Sequence, residues 1–139
     1  MSDISLIAET AEENTIGSCI KSEAALIAVS GLGLKPEHFG GPTHEIIYRG
    51  IVNLHDAGKH VTPDTIKAHL EASDKLDLIG GAGVIDRLAE IGEAVDYAAA
   101  DYAEIVMDRK FRRDVHDFVA VATNHTRTEE DKRALVDLL

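Results

Sequence analysis

The stretch VDYAAADYAEIVMDRKFRRDVHDFVAVA, residues 95–122, contains neither glycine nor proline. Nothing in it breaks a helix, so the simplest reading is one long α-helix. Wound at about 100° per residue, it puts Tyr102, Ile105 and Val106 on one face. Met107, Phe111, Val115, Phe118, Val119 and Ala122 fall on roughly the opposite face. The apolar stripe therefore changes sides between Met107 and Phe111, and one continuous partner surface cannot satisfy both halves. The first half is expected to dock on the helices that precede it. The second half is expected to leave the globular body and to need a different partner.

Downstream, TNHTRTEED interrupts the pattern, and Thr128 followed by Glu129, Glu130 and Asp131 is a helix-start signal. Ala134, Leu135, Leu138 and Leu139 make one stripe that can fold back against the long helix as a hairpin. Two helices alone have little core, so the leftover apolar area implies pairing with another subunit. Upstream, residues 8–21 carry a helical stripe through Ile16, Cys19 and Ile20, with Gly17 a tolerated weak point. Ser22 caps a short helix that stops at Gly31 and Gly33. Pro36-Glu37-His38 suits a single turn inside the connector LKPEHFGG, Pro42 opens a helix through Asp56, and Thr62-Pro63-Asp64 opens another. Val84, Ile85, Leu88, Ala89 and Ile91 outline a further amphipathic helix. No strand pattern competes. The expected fold is all-α: a compact bundle of short helices over residues 1–94, then a helical hairpin over 95–139, with helices at about 95–122 and about 128–139.

Composition agrees. Of 139 residues, 45% are hydrophobic but only 4% aromatic, with no Trp, so the core is aliphatic. Fourteen Lys and Arg against 25 Asp and Glu give a net charge of −11, which repels a phosphate backbone and argues against general nucleic-acid binding. The lone Cys19 can form no internal disulfide and reads as a buried, reduced thiol. No signal peptide opens the chain and no apolar run approaches a membrane span of about 20 residues, so the expected location is the cytoplasm. Asn124-His125-Thr126 fits a glycosylation sequon, with nothing else pointing to secretion.

Three features invite chemistry. Gly80-Gly81-Ala82-Gly83 resembles a phosphate cradle, yet no Lys-Ser or Lys-Thr follows it, and Asp86 stands where a dinucleotide fingerprint needs its third glycine. The segment before it is too short and acidic for a buried strand. Gly80 and Gly81 therefore read as a structural turn. The seven histidines, His38, His44, His55, His60, His69, His116 and His125, show no metal-ligand spacing. No catalytic, metal or cofactor residue is expected. Arg109, Lys110, Arg112 and Arg113 form the one basic cluster, beside Asp108, Asp114 and Asp117. It reads as a solvated or salt-bridged surface, or alternatively as a docking patch for an acidic partner or a nucleic-acid strand.

The run AEENTIGSCI resembles the first helix of the N-terminal domain of DnaB-family replicative helicases. LKPEHFGGPTHEIIYRGIVNL, VTPDTIKAHLE, LDLIGGAGVIDRLAE and ADYAEIVMDRKFRRD are similar to the family's next segments, in the same order and spacing from about Glu9 to Asp117. Gly40 departs from the aromatic usual after the phenylalanine, and Val84 from a frequent tyrosine. The Walker lysine of the motor is absent, so this chain alone is not expected to hydrolyse ATP or unwind DNA, although the parent would be an ATP-dependent helicase. The resemblance implies a helical globule plus hairpin, with six copies forming a collar through hairpin pairing and recruiting primase or a helicase loader. The implied partners are thus a second copy, as a homodimer or within a hexamer, and a primase or loader. Neither direct nucleic-acid binding nor a membrane is expected. On this reading Met107, Phe111, Val115, Phe118, Leu135 and Leu138 carry the interface, rimmed by Arg109, Arg112 and Arg113. Two competing readings are a stand-alone phage or plasmid protein that mimics the domain to modulate a helicase, and a small acidic helical DNA-binding regulator.

Overall fold

The computed structural model describes residues 3–125 and residue 136. Among the described residues there are six α-helices and no strand: α1 Asp3–Lys21, α2 Glu23–Gly31, α3 Pro42–Asp56, α4 Pro63–Ala72, α5 Ala82–Val95 and α6 Ala99–His125. Two 3-10 turns, Pro36–His38 and Asp96–Ala98, join them. The second hairpin helix expected at about 128–139 falls, but for residue 136, outside the described residues. No described helix is long and apolar enough to cross a membrane.

Local chemistry explains most of the boundaries. The Ser22 hydroxyl accepts from the Ala25 amide at 3.1 Å and starts α2. Thr62 does the same for Thr65 at 3.1 Å, while the Thr65 hydroxyl accepts from the Thr62 amide at 2.9 Å, so two orphan donors are satisfied reciprocally at the head of α4. Pro42 opens α3 at a position where its missing N–H leaves no bond unmade.

Helix α1 lies at the centre and touches α2, α3, α5 and α6. From Asn14 to Ile20 every residue is buried, although the run includes Asn14, Thr15, Gly17 and Ser18. The hydroxyls of Thr15 and Ser18 donate to the carbonyls one turn back, Ala11 at 2.7 Å and Asn14 at 2.6 Å, so neither is buried unpaired. Small side chains here let neighbouring helices approach closely. At the α1–α5 crossing the approach is limiting: a Cβ on Gly92 would meet the Gly17 carbonyl, and one on Gly17 would meet the Leu88 carbonyl. Gly17 is thus a contact point, not the weak spot that its helix propensity suggests.

Around α1 the core is aliphatic, with Leu26, Ile47, Ile51, Ile66, Leu70, Ile85 and Leu88 almost wholly buried. Phe39 and Tyr48 supply its aromatic part, with ring centroids 5.0 Å apart. The long helix begins at Ala99, later than the breaker-free sequence suggests, because Val95 leaves helical geometry (φ −129°, ψ 7°) and the 3-10 turn redirects the chain. That turn lets α6 run back over α1 and α2.

Candidate interaction surface

Helix α6 has two environments. Ala99, Ala103 and Val106 are buried in the core, with Tyr102, Ile105 and Met107 packed at its edge. From Asp114 to Val121 every residue is exposed, Val115 at 47%. Phe111 is 67% exposed, Phe118 54% and Val119 50%, values that make this a bare apolar stripe rather than a core edge. Positions 111, 115, 118 and 119 share one helix face, and at about 1.5 Å of rise per residue they span roughly 12 Å.

The charged residues of this half are mostly neutralised within it. Lys110 pairs with Asp114 and Arg112 with Asp108, each at 2.8 Å and each four residues apart. Arg113 turns to the globule and donates to the His38 carbonyl at 3.0 Å. Arg109 also points there, its Nε buried with no hydrogen-bond partner among the described residues. The basic cluster seen in sequence is therefore partly tied up: Arg112 stands beside the stripe and Arg113 is held on the connector, while Arg109, Arg112 and Arg113 together still line one open cleft with His116 and Asp117. Of the apolar residues expected at an interface, Phe111, Val115 and Phe118 lie together in the open, Met107 packs against the core, and Leu135 and Leu138 lie outside the described residues.

Sequence reasoning missed the polar centre behind Arg113. Glu12, 6% exposed, accepts from the Gly40 amide at 2.9 Å and contacts His44 Nδ1 at 2.8 Å. Burial pulls its carboxyl upward, but the His44 hydrogen bond and the Gly40 and Gly41 amides outweigh burial and hold it below the ordinary carboxylate range. No motif announces this pair, since its members are 32 positions apart.

The glycine loop is a turn tied to its own backbone. Gly80 and Gly81 have φ of +103° and +96°, and their amides donate inward to the carbonyls of Asp77 and Leu76, at 3.2 and 3.0 Å. Asp86 pairs with Lys67 at 2.8 Å. Among the described residues no three His, Cys, Asp or Glu side chains come together as a metal site.

The family model described as "DnaB-like helicase N terminal domain" matches residues 6–108. The replicative DNA helicase DnaB of Geobacillus stearothermophilus is 32% identical over 130 residues, which cover 91% of this chain and 28% of that protein. The replicative DNA helicase DnaC of Bacillus subtilis (strain 168) is 31% identical over 124 residues, 86% of this chain and 26% of that protein. The chain thus spans about a quarter of the length of these relatives. The crystal structure of the N-terminal domain of DnaB helicase from Mycobacterium tuberculosis matches with a TM-score of 0.79 at 25% identity, over 93% of this chain and 94% of that one. With the all-α fold and the order of its segments, these matches assign the chain: it belongs to the family of DnaB-like helicase N-terminal domains.

Proposed function

We propose that this chain is the collar-forming module of a replicative DNA helicase: a non-catalytic part that joins subunits and recruits a primase or loader. The observation that carries the reading is the stripe of Phe111, Val115, Phe118 and Val119, left bare on the half of α6 beyond the core. Burying one large apolar side chain contributes about 1.5–3 kcal/mol, and a twofold interface counts each contribution twice because both copies present the same patch. Phe111, Val115 and Phe118 form its centre, with Arg112 at the rim. Met107, already packed on the core, acts first on stability. The pairing of the cluster's cations and the chain's net charge of −11 weigh against the DNA-binding alternative, since Lys110 and Arg112 are paired with acids and Arg113 is held on a carbonyl. The sequence carries no G-x-x-x-x-G-K-[ST] run, so ATP hydrolysis belongs elsewhere in any helicase that contains this module.

Light scattering on the chain and on the Phe111→Asp/Phe118→Asp double variant tests this. The wild-type chain should show at least twice its 15.0 kDa mass, and the variant one chain mass with unchanged helicity by circular dichroism. If both are monomeric at high concentration, or both associate equally, the stripe is not the interface.

A further inference from the structure

Residues 24–34, AALIAVSGLGL, carry no charged side chain in a protein where 28% of residues are charged. One side of this run is core, since Ala25, Leu26 and Val29 are buried. The other side is bare. Ala24, Ile27, Ala28 and Gly31 recur at helical spacing on a single face of α2 and are all exposed, Ile27 at 56%. Beside Ala24 and Ala28 opens a cleft of about 340 Å³ walled by Tyr97, which is 86% exposed. A Cβ on Gly31 would meet nothing within 4 Å, so the far end of the face is open too. This apolar surface borders α6 at Ala100, whereas the stripe on that helix begins at Phe111.

We infer that the face pairs with the same face of a second copy, α2 against α2 about a twofold axis. The face contains its own complement. Ile27 projects, and the small residues at 24, 28 and 31 leave the gap that Ile27 of the other copy fills. Small residues let helix backbones approach closely, as Gly17 and Gly92 do inside this fold. An antiparallel crossing also matches charge. At the N-terminal end of α2, Glu23 and Asp96 outnumber Lys21, and beyond its C-terminal end stands Lys35, with Glu37 already paired to Arg49. Each end then meets the opposite sign on the other copy, and the two helix dipoles oppose. Elsewhere, copies of a chain with net charge −11 repel one another, so an uncharged face is where they approach at least cost. A handful of side chains is small against the roughly 20–30 residues a side of a stable interface, so this pairing is weak alone. A twofold stripe on α6 joins two copies and stops there. A second twofold face lets such pairs link further, a step that rests on the proposed pairing of the stripe.

Nuclear magnetic resonance spectra of the Phe111→Asp/Phe118→Asp chain over a dilution series read this face with the stripe disabled. Amides of Ala24, Ile27, Ala28 and Gly31 should shift with concentration, while those of α4 stay fixed. Ile27→Glu in that background should weaken self-association at least tenfold with unchanged helicity. Leu78→Glu, which puts the same charge on a side chain 67% exposed before α5, should change it less than twofold. Amides of α2 that ignore concentration up to the millimolar range, or equal losses in Ile27→Glu and Leu78→Glu, overturn the pairing. In the wild-type chain, light scattering at high concentration should give masses above two chains that fall back to two in Ile27→Glu. A mass that never exceeds two chains overturns the linking of pairs. Failure of the stripe would alter only this last result and leave the dilution shifts in place, so the two failures are told apart.

Discussion

Replacing Gly92 by alanine adds one methyl group at the α1–α5 crossing. The new Cβ would overlap the Gly17 carbonyl and lie 2.6 Å from the Ser18 nitrogen. Carbon atoms prefer neighbours at about 3.5–4.0 Å, so the helices must separate by roughly 1 Å. No rotamer change relieves this, because the obstacle is backbone. A gap of that size forfeits roughly a quarter to a half of each dispersion contact across it. The side chains that lose contacts include Ile16 on α1 and Ile85, Leu88 and Ala89 on α5, all buried. Overpacking of this kind typically costs about 1–3 kcal/mol and sometimes more. Against it stands the helix propensity of alanine over glycine, about 1 kcal/mol. The backbone obstacle puts the loss at the upper end, so the net destabilisation should be roughly 2 kcal/mol, on the order of 5–10 °C in Tm for a domain of this size.

Gly83→Ala on the same helix is the matched control, because a Cβ there meets nothing within 4 Å. It should be neutral or stabilise by up to about 1 kcal/mol. Urea and thermal denaturation followed by circular dichroism measure both. Gly17→Ala should resemble Gly92→Ala, and the double variant should lose less than the sum, because the first separation makes room for the second methyl. A Gly92→Ala protein as stable as wild type, or one that tracks Gly83→Ala, would show that this crossing does not hold α5 in place.

Gly81 has φ +96° and ψ 177°, a region open in practice to glycine alone. Gly81→Val should therefore cost about 1–3 kcal/mol, seen as a lower urea midpoint, and an unchanged midpoint would remove strain as the reason for the glycine. The depressed carboxyl of Glu12 contributes stability that is full above its unfolded pKa, about 4.3, and is lost as pH falls through its lower folded value. Glu12→Gln should flatten that part of the acid limb of Tm against pH, and an identical limb in both proteins would refute the assignment. Burial pushes the Cys19 thiol up to about 12, so a thiol reagent at neutral pH should label it only as fast as the domain opens. Labelling of the native protein at the rate of a free thiol would contradict this.

What was legible in the sequence was local. Ser22 and Thr62 accept from amides three residues on, and Pro42 acts through its own fixed φ and missing N–H, so the local sequence already determines these helix starts. The face switch in α6 was legible for a related reason: helical periodicity alone separates Val106 from Phe111. Other features depend on distant parts of the chain. Asn14, Thr15 and Ser18 look solvent-facing by hydropathy, yet they are buried because four helices surround α1 and the hydroxyls bond within their own helix. Gly17 meets Gly92 across 75 positions, the difference of the two residue numbers, and each glycine alone reads as a weak point. Met107 sits at the boundary between the two faces, and only the packed structure assigns it to the core side. The arginine cluster behaved similarly, since Arg113 and Asp114 are neighbours in sequence but Arg113 reaches back to His38.

These long-range contacts also bear on how α6 could serve a partner. A stripe carried on a loose tail would lose conformational freedom on pairing, at about 0.5–1.5 kcal/mol for each mobile side chain and more for the backbone. Here the stripe continues a helix whose first turns are locked in the core by Ala99, Ala103 and Val106. The Arg113 bond to the His38 carbonyl fixes the same helix just beyond the core, and Glu12 holds the connector in place through the Gly40 amide. The direction in which Phe111 and Phe118 face is therefore set by the globule before any partner arrives. On the proposed pairing, the buried Glu12 and its His44 would act through the orientation of α6 without touching the interface. Loosening Glu12 would act on pairing through the orientation of α6, while loss of Phe111 or Phe118 would act on the contact itself.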